Sequence, residues 1–348
     1  MSPKDSVFLK ACRRESTPFT PVWLMRQAGR YMKEYRAIRE KTPFLELCKN
    51  PSLSAEVTVT AQEKLGVDAA ILFSDILLIL EPMGFDLAYL AGDGPSIRKP
   101  LQTSEDVDRV KIVDAEDSLA FVFQALREIR GRLKSTIPLI GFAAAPFTLA
   151  SYLIEGGSSK DFSRTKKFMH EDASRWNILM EKITTSTLSY LEAQIRSGAD
   201  ALQLFDSWAG ILSPEEYRTF ALPHSRRIFA GLKGRVPLIH FGTKTEPFLE
   251  SLAEAGGDVI GVDHRIGLKE AWKRIGPGKA IQGNLDPKLL LGDLKILENE
   301  VKRILLDADE RPGHIFNLGH GVLPETPVEN VVALVDMVHS LSKKKAVL

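Results

Sequence analysis

Two closely spaced arginines, Arg26 and Arg30, are the strongest sign of a binding site in this sequence. They lie in the segment RQAGRY, directly after a short apolar run. A guanidinium group is planar and donates to both oxygens of a carboxylate, so two such groups side by side form an anion clamp. Arg36 and Arg39 follow and could extend the clamp. For Arg36 we favour a solvated helix start, because two glutamates in the same stretch are available as ion-pair partners.

An aspartate, Asp75, lies between two apolar runs, after AAILFS and before ILLIL. A carboxylate in such surroundings costs free energy unless it has a partner. Two interpretations are open. Either Ser74 or Asp75 caps the next helix, or the carboxylate is a fixed negative charge that faces a cleft.

Three further polar side chains follow other apolar runs. Ser207 has no G-x-S-x-G around it, which argues against an acyl-enzyme nucleophile and favours a hydrogen-bond donor or a turn residue. His320 stands between two glycines, which leave its ring exposed and let backbone approach a ligand, although a lone histidine is more often structural. Tyr152 has helical spacing to Leu149, which is typical of a core residue.

Metal binding is not favoured by the sequence. Four residues could in principle converge as ligands, namely His240, Asp263, His264 and His320. However, a metal-dependent hydrolase barrel usually has H-x-H after its first strand, and here that position is an arginine. The two cysteines, Cys12 and Cys48, form no C-x-x-C pair. We therefore expect no metal and no disulfide, and a reducing compartment.

Eight short apolar runs predict the strands that must position these residues. Each is nearly all apolar rather than alternating, as expected for parallel strands that are buried on both faces. The predicted strands are Val22–Met25, Ala69–Phe73, Leu139–Phe142, Ala201–Phe205, Leu238–Phe241, Val259–Val262, Ala280–Gly283 and Ile315–Leu318.

Segments with helical periodicity separate these runs, among them Ser118–Leu133, Ser174–Arg196 and Val328–Leu341. Two sequences, SPEE from Ser213 and TPVE from Thr326, predict helix starts with Ser or Thr at the N-cap and Pro at the first helical position. Residues 86–100 predict a loop or a small hairpin insertion, and GGSS from Gly156 a mobile lid or a helix end.

The alternation of eight strands with helices predicts an α/β fold, a (β/α)8 TIM barrel, over residues 1–348 as a single domain. A doubly wound open sheet is the alternative, but it would normally show a Gly-rich phosphate turn after its first strand. In a barrel the carboxyl ends of the strands build the site. The polar residues above follow those ends, so the sequence predicts that they bind an anionic small molecule.

Composition excludes several classes of protein. Hydrophobic residues make up 44% and charged residues 26%, and the formal net charge is +1. A nucleic-acid or membrane-surface protein usually has a strong basic bias, so we expect neither partner. We also find no run of about 18 apolar residues and no apolar signal region near the N-terminus, and we expect a cytoplasmic protein.

Six stretches carry a specific resemblance. They occur in one order between residues 21 and 327 and read PVWLMRQAGRYMKEYR, ILFSDILLILEPMG, GFAAAPFTLASYLIEGGSSKDF, LQLFDSWAGILSPEEY, IQGNLDP and FNLGHGVLPETP. In these stretches the chain resembles the uroporphyrinogen decarboxylase family. The resemblance implies a (β/α)8 barrel, usually a homodimer, that converts the four acetate side chains of uroporphyrinogen III to methyl groups. The products are coproporphyrinogen III and CO2, and no cofactor is needed.

The resemblance also implies roles for individual residues. Asp75 faces the pyrrole nitrogens and stabilises a protonated pyrrole cation, and Arg26 and Arg30 hold substrate carboxylates. Arg26, Tyr152 and His320 are candidate proton donors, and the sequence leaves the choice among them open. The remaining substrate-binding residues implied are Gln27, Ala28, Arg39, Phe142, Phe205 and Ser207.

Two rival functions are weighed against this one. A methyltransferase of the same superfamily usually binds zinc through His and Cys late in the barrel, but no cysteine follows Cys48 here. A non-catalytic tetrapyrrole carrier would bind the substrate without releasing CO2.

Overall fold

A computed structural model describes residues 5–90 and 94–344. Most of its strands run parallel in a single curled sheet. The strands are β1 Ala70–Ile71, β2 Asp86–Leu90, β3 Gly94–Arg98, β4 Leu139–Ala144, β5 Ala201–Asp206, β6 Leu238–Gly242, β7 Val259–Gly261, β8 Ala280–Gln282 and β9 His314–Ile315. The large sheet has the order β1-β4-β5-β6-β7-β8-β9, and β2 and β3 form a separate antiparallel hairpin. Of the two alternatives predicted for this region, the described residues 86–90 and 94–98 therefore support the hairpin insertion.

The segment around Val22 closes the sheet into a barrel. On one side it meets the segment after β9, where the Phe316 N–H donates to the Pro21 carbonyl at 2.8 Å and Trp23 N–H donates to the Phe316 carbonyl at 3.3 Å. On the other side, just before β1, the Asp68 N–H donates to the Val22 carbonyl at 2.8 Å. The predicted α/β class and (β/α)8 barrel are confirmed.

The first predicted strand, Val22–Met25, is reduced to one isolated bridge in this seam. Side-chain amides take the place of the regular ladder there. Leu24 N–H donates to Gln27 Oε1 at 3.2 Å, and Met25 N–H donates to Asn317 Oδ1 at 3.1 Å. The other seven predicted strands are present, with ends that differ by up to three residues.

Helices surround the barrel. The α-helices are α1 Val7–Cys12, α2 Lys33–Arg39, α3 Phe44–Lys49, α4 Pro51–Leu65, α5 Ala115–Ser118, α6 Ala120–Arg132, α7 Pro146–Glu155, α8 Ser163–Glu171, α9 Ala173–Arg196, α10 Pro214–Glu216, α11 Leu222–Leu232, α12 Leu249–Ala255, α13 Leu268–Ile275, α14 Leu294–Ala308 and α15 Val328–Leu341. Short 3-10 turns lie at Leu78–Leu80, Ser104–Arg109, Ala209–Ile211, Glu246–Phe248 and Pro287–Leu291, and one π turn at Tyr217–Ala221 joins α10 to α11. The helix predicted at Ser118–Leu133 is confirmed as α6, which begins two residues later and ends one residue earlier.

The predicted helix starts meet different outcomes. Ser213 caps α10 in a capping box with Glu216, as predicted. The prediction for Thr326 is wrong, because Pro327 occupies the N-cap of α15 and makes no side-chain bond there. Of the two interpretations of GGSS, the helix end is confirmed: α7 ends at Gly156, whose φ of 83° is left-handed and favours glycine.

The two ends of the barrel differ in character. Phe8 and Leu9 of α1 pack with Trp23, Ile140 and other inward residues, and thereby cover the amino ends of the strands. Deeper inside, Trp23 Nε1 donates to Gln282 Oε1 at 2.9 Å, and Gln282 Nε2 donates to Gln203 Oε1 at 2.9 Å. The lower interior is therefore filled, and the polar residues at the carboxyl ends form the mouth.

Candidate active site

Arg26 follows the seam segment at the mouth of the barrel, and its backbone is unusual. Its φ is 62°, a left-handed conformation that costs a residue other than glycine about 1–3 kcal/mol. Neighbouring side chains hold the turn in place. Gln27 Nε2 donates to the Ala69 carbonyl at 3.2 Å, and the Tyr31 hydroxyl donates to the Gln27 carbonyl at 2.6 Å. Strain maintained in this way is typical of functional sites.

The Arg26 side chain is exposed and has no hydrogen bond or ion pair within residues 5–90 and 94–344. Its charge nevertheless acts on three other residues that follow strand ends. It opposes the burial that raises the pKa values of Asp75 and Tyr152, and it adds to the desolvation that lowers the pKa of His320. Arg26 is therefore within electrostatic range of the other three predicted catalytic residues.

Asp75 follows β1, and Leu77 N–H donates to Asp75 Oδ1 at 2.8 Å in a local turn. The 3-10 turn that follows has Leu77 at its N-cap and no side-chain cap, so neither Ser74 nor Asp75 caps it as the first interpretation predicted. The same carboxylate lies within electrostatic range of Arg26. Burial raises the pKa of the Asp75 carboxyl, while the Tyr89 hydroxyl, the Leu77 N–H and Arg26 act in the opposite direction. The ionised form is thus poorly solvated and gains from an added cation.

Tyr152 lies on α7, the helix that follows β4 in the chain, and is 8% exposed. Its ring lies 5.8 Å from the ring of Trp208. Burial raises the pKa of Tyr152 to about 12, and the charge of Asp75 adds to this effect. The phenol therefore keeps its proton at neutral pH and can donate a hydrogen bond into the mouth.

His320 lies beyond β9 with an exposed ring. Desolvation by the surrounding protein and then the charge of Arg26 lower the pKa of this imidazole. His320 is therefore mainly neutral at neutral pH, so one ring nitrogen donates and the other accepts.

Aromatic rings form one wall of the mouth. Phe142 on β4 and Phe205 on β5 meet edge to face at 5.7 Å, and Phe205 meets Phe241 on β6 at 6.0 Å. Ser207 follows β5 and is half-buried, and its carbonyl accepts from Thr243 Oγ1 at 2.8 Å. The wall offers an apolar aromatic surface at the carboxyl ends of β4, β5 and β6.

The other residues predicted to bind substrate differ in exposure. Gln27 is 1% exposed, and its amide is used by Leu24 and Ala69, so it supports the loop from inside. Ala28 is half-buried and lines a small cavity between α2 and α4. Arg30 is exposed and, within the described ranges, makes no side-chain hydrogen bond or ion pair.

The side chains of Arg39 and Arg36 both donate hydrogen bonds to backbone carbonyls. Arg39 Nη1 donates to the Thr42 carbonyl, and its guanidinium lies 5.7 Å from the Phe44 ring. Arg36 Nη1 donates to the carbonyls of Arg30 and Tyr31 at 2.9 Å each. Arg36 therefore holds the loop in shape, which agrees with its predicted structural role, although its partners are carbonyls rather than glutamates.

Among the described residues, no three His, Cys, Asp or Glu side chains are grouped as a metal site. His240 is buried, with Nδ1 3.2 Å from the Leu252 carbonyl. His264 lies 3.9 Å from Asp286, measured from Nε2 to Oδ2. The thiols of Cys12 and Cys48 are free and buried.

A comparison of sequences identifies the family. The sequence model described as Uroporphyrinogen decarboxylase (URO-D) matches residues 3–341. The chain belongs to the uroporphyrinogen decarboxylase family. A protein named uroporphyrinogen decarboxylase from Carboxydothermus hydrogenoformans is 53% identical over 97% of both chains. One of the same name from Sorangium cellulosum is 51% identical over 97% of this chain and 96% of its own.

Solved structures agree on the fold. A methyltransferase from Methanosarcina mazei superposes with a TM-score of 0.81 at 22% identity, covering 98% of this chain and 99% of its own. At that identity the likeness concerns the fold alone. In the part of the chain that the structure describes, no helix is long and apolar enough to cross a membrane.

Three residues of this uroporphyrinogen decarboxylase site do not appear among the sequence predictions. Tyr89 reaches Asp75 from the β2–β3 hairpin, Phe241 extends the aromatic wall, and Trp208 packs on Tyr152. Phe241 ends a predicted strand and Trp208 directly follows Ser207, so position along the chain was an available signal for both. Tyr89 had none, because a hairpin insertion can fold over any part of the barrel.

Proposed function

We propose that the mouth of this barrel holds uroporphyrinogen and removes the carboxyl groups of its four acetate side chains, giving coproporphyrinogen and CO2. Decarboxylation in tetrapyrrole biosynthesis is the activity of the family to which the chain belongs. One observation carries the assignment of roles: the charge of Arg26, a guanidinium with no ion pair among the described residues, acts on the Asp75 carboxyl and opposes the burial that raises its pKa.

The chemistry needs an electron sink. A proton added at a ring carbon next to the acetate-bearing position makes the pyrrole a cation. The bond to the carboxylate carbon then breaks, CO2 leaves, and its electron pair neutralises the ring. A second proton converts the exocyclic carbon to a methyl group while the ring carbon loses the first. The net change is replacement of a carboxylate by hydrogen with uptake of one proton. The pyrrole ring of the substrate serves as the electron sink that other decarboxylases obtain from a cofactor.

Asp75 stabilises the cation. One charge pair at ~4 Å and an effective dielectric of ~20 gives about 4 kcal/mol, on the order of a thousandfold in rate if fully realised. Only the part that grows towards the transition state accelerates the reaction. The burial that raises the pKa of this carboxyl also strengthens its attraction to a ring cation, since little water competes.

The arginines hold the acid groups of the substrate. Arg26 and Arg30 are exposed and lack partners in the described part of the chain, so their donors are available for acetate and propionate. Arg39 extends the same positive side of the loop, with Gln27 and Ala28 shaping its backbone. Phe142 and Phe205 support the pyrrole face, and Ser207 offers a hydrogen bond at the rim.

Three residues are candidates to deliver protons. Tyr152 is a neutral phenol that lies within range of Asp75, and His320 is a neutral imidazole at the rim. A guanidinium is not deprotonated in proteins, so Arg26 would act through a bound water. These three residues are alternative proton donors. The solvent isotope effect of the Tyr152→Phe and His320→Asn variants distinguishes among them.

We further propose a single catalytic domain over residues 1–348, a homodimer and a cytoplasmic location. One hydrophobic core cluster that extends from Val22 to Val338 supports the single domain. The family resemblance supports the dimer, and free buried thiols agree with a reducing compartment. Light scattering tests the dimer, since a monomer has a mass of 38.6 kDa.

Anaerobic incubation with uroporphyrinogen tests the proposed activity directly. Mass spectrometry of the product should show the loss of four carboxyl groups, with CO2 released in proportion. Binding without CO2 release would instead identify a tetrapyrrole carrier. Activity that depended on zinc and a methyl donor would identify a methyltransferase.

A further inference from the structure

Gly321, directly after His320, lies against the side chain of Arg26. A Cβ built on Gly321 would fall 2.4 Å from Arg26 Cδ, 2.7 Å from Cγ and 3.0 Å from Nε. The three nearest atoms therefore all belong to one side chain. Real Cβ atoms do not approach other atoms so closely, so no residue except glycine fits while Arg26 keeps this position.

Space, rather than backbone conformation, requires glycine here. The left-handed glycines of the described chain include Gly283 and Gly313, but Gly321 is not among them. An alanine could adopt its φ without strain. The unusual φ lies instead at Arg26, on the other side of the contact.

The two backbones that carry this contact are joined. Val322 N–H donates to the Met25 carbonyl at 2.9 Å, one residue away from each partner. This hydrogen bond across the seam therefore holds the backbones of Gly321 and Arg26 at a fixed separation. An added methyl group would displace the flexible arginine side chain rather than the main chain.

We propose that Gly321 is a positioning residue for the decarboxylation. Because Gly321 has no side chain, Arg26 can lie against its Cα with the guanidinium in the space shared with Asp75. The inference rests on the role of Arg26 in the proposed function. Displacement of a substrate-holding group by about 1 Å can cost on the order of 100-fold in rate.

A double-mutant cycle tests the proposal. We expect Gly321→Ala to lower kcat/KM about 100-fold, with KM raised because the carboxylate grip is lost. In the Arg26→Ala background the three atoms nearest to the added methyl group are gone, and the same alanine should cost less than about threefold. Gly278→Ala is the matched control, because its Cβ meets nothing within 4 Å and its φ is not left-handed. It should retain wild-type activity.

The outcomes separate the two hypotheses. If Arg26→Ala alone has normal kcat/KM, the proposed role of Arg26 fails, and this inference with it. If Arg26→Ala is impaired but Gly321→Ala costs the same factor in both backgrounds, only the positioning role is overturned. Should Gly321→Ala not fold, recovery of folding in the double variant supports the contact with Arg26. Failure of both variants to fold would show that the backbone requires glycine, against the proposal.

Discussion

Arginines on the outer helices and arginines at the mouth have opposite surroundings. Arg274 donates to Glu250 at 2.6 Å, and Arg303 donates to Glu300 at 2.6 Å. Arg26 and Arg30 make no ion pair with any residue that the structure describes. The outer pairs neutralise charge where water already solvates it. At the mouth the positive charge is not neutralised by these glutamates, and it is available for the carboxylate groups of the proposed substrate.

Carboxylates show the same contrast. Glu254 on the outside accepts from both Arg218 and Arg226, which satisfies its charge. Asp75 is poorly solvated, and burial raises the pKa of its carboxyl. Surface ion pairs contribute little to stability, whereas an incompletely compensated charge in a cleft is held at a cost in stability and serves function. Changes on the two sides should therefore affect different measurements.

The largest expected effect is that of Asp75→Asn on turnover. The amide keeps the shape and still accepts from Leu77, but it cannot attract a cation. We expect kcat to fall on the order of 1000-fold, with substrate binding nearly unchanged. Single-turnover kinetics and equilibrium binding measure the two separately. The matched control is Glu254→Gln, which should be fully active. Near-normal turnover in Asp75→Asn would remove the basis for treating the mouth carboxylate as special.

Arg26→Ala should come next. Removal of a group that holds the reacting carboxylate is expected to lower kcat/KM about 100-fold, with a higher KM. The reason is that, among the residues the structure describes, no other group forms an ion pair or hydrogen bond with this guanidinium. Steady-state kinetics measures the loss, and Arg274→Ala on the outer layer serves as the control. An unchanged KM in Arg26→Ala would count against the carboxylate clamp.

Asp75→Asn should also make the protein more stable near neutral pH. The pKa of the folded-state carboxyl is raised, so folding is favoured fully only below the unfolded value of ~3.9 and loses that contribution as pH rises through the folded value. The asparagine variant has no such loss. We expect a gain of about 0.5–2 kcal/mol at pH 7.5 that disappears near pH 3.5. Urea unfolding at the two pH values checks the sign, and a loss of stability at pH 7.5 would contradict the contrast.

The smallest effect should come from the outer layer. Arg274→Gln removes ion pairs with Glu250 and Glu246 and should lower the free energy of unfolding by about 0.2–1 kcal/mol per pair. Activity should not change, because α13 carries no residue of the mouth. Thermal unfolding and the standard assay test both statements. A large loss of activity would mean that the two layers are coupled.

The sequence predicted the barrel because buried parallel strands leave a clear apolar pattern. It also indicated that Arg26, Asp75 and His320 follow strand ends, whereas it did not predict that Gln27 supports the loop from inside. It did not predict the seam, where amide side chains of Gln27 and Asn317 replace the ladder of the first strand. Apolar patterning alone cannot distinguish a strand from a segment held by side chains.

Side-chain partners were the least predictable part of the site. The contact of Tyr89 with Asp75 depends on how the β2–β3 hairpin folds back over the barrel. The contact between Arg26 and Gly321 joins residues that are far apart in the sequence. Residue type and spacing therefore indicated the chemistry, but long-range packing determined which groups meet.

The closing seam also determines when this enzyme can begin to work. Its two sides come from the segment at residues 21–25 and from the segment after β9, which is synthesised later than every strand from β1 to β9. Arg26 and His320, which flank the seam, therefore come together only after all of these strands have been made and docked. A chain that stops before Phe316 would contain Arg26 and Asp75 but neither His320 nor one side of the seam.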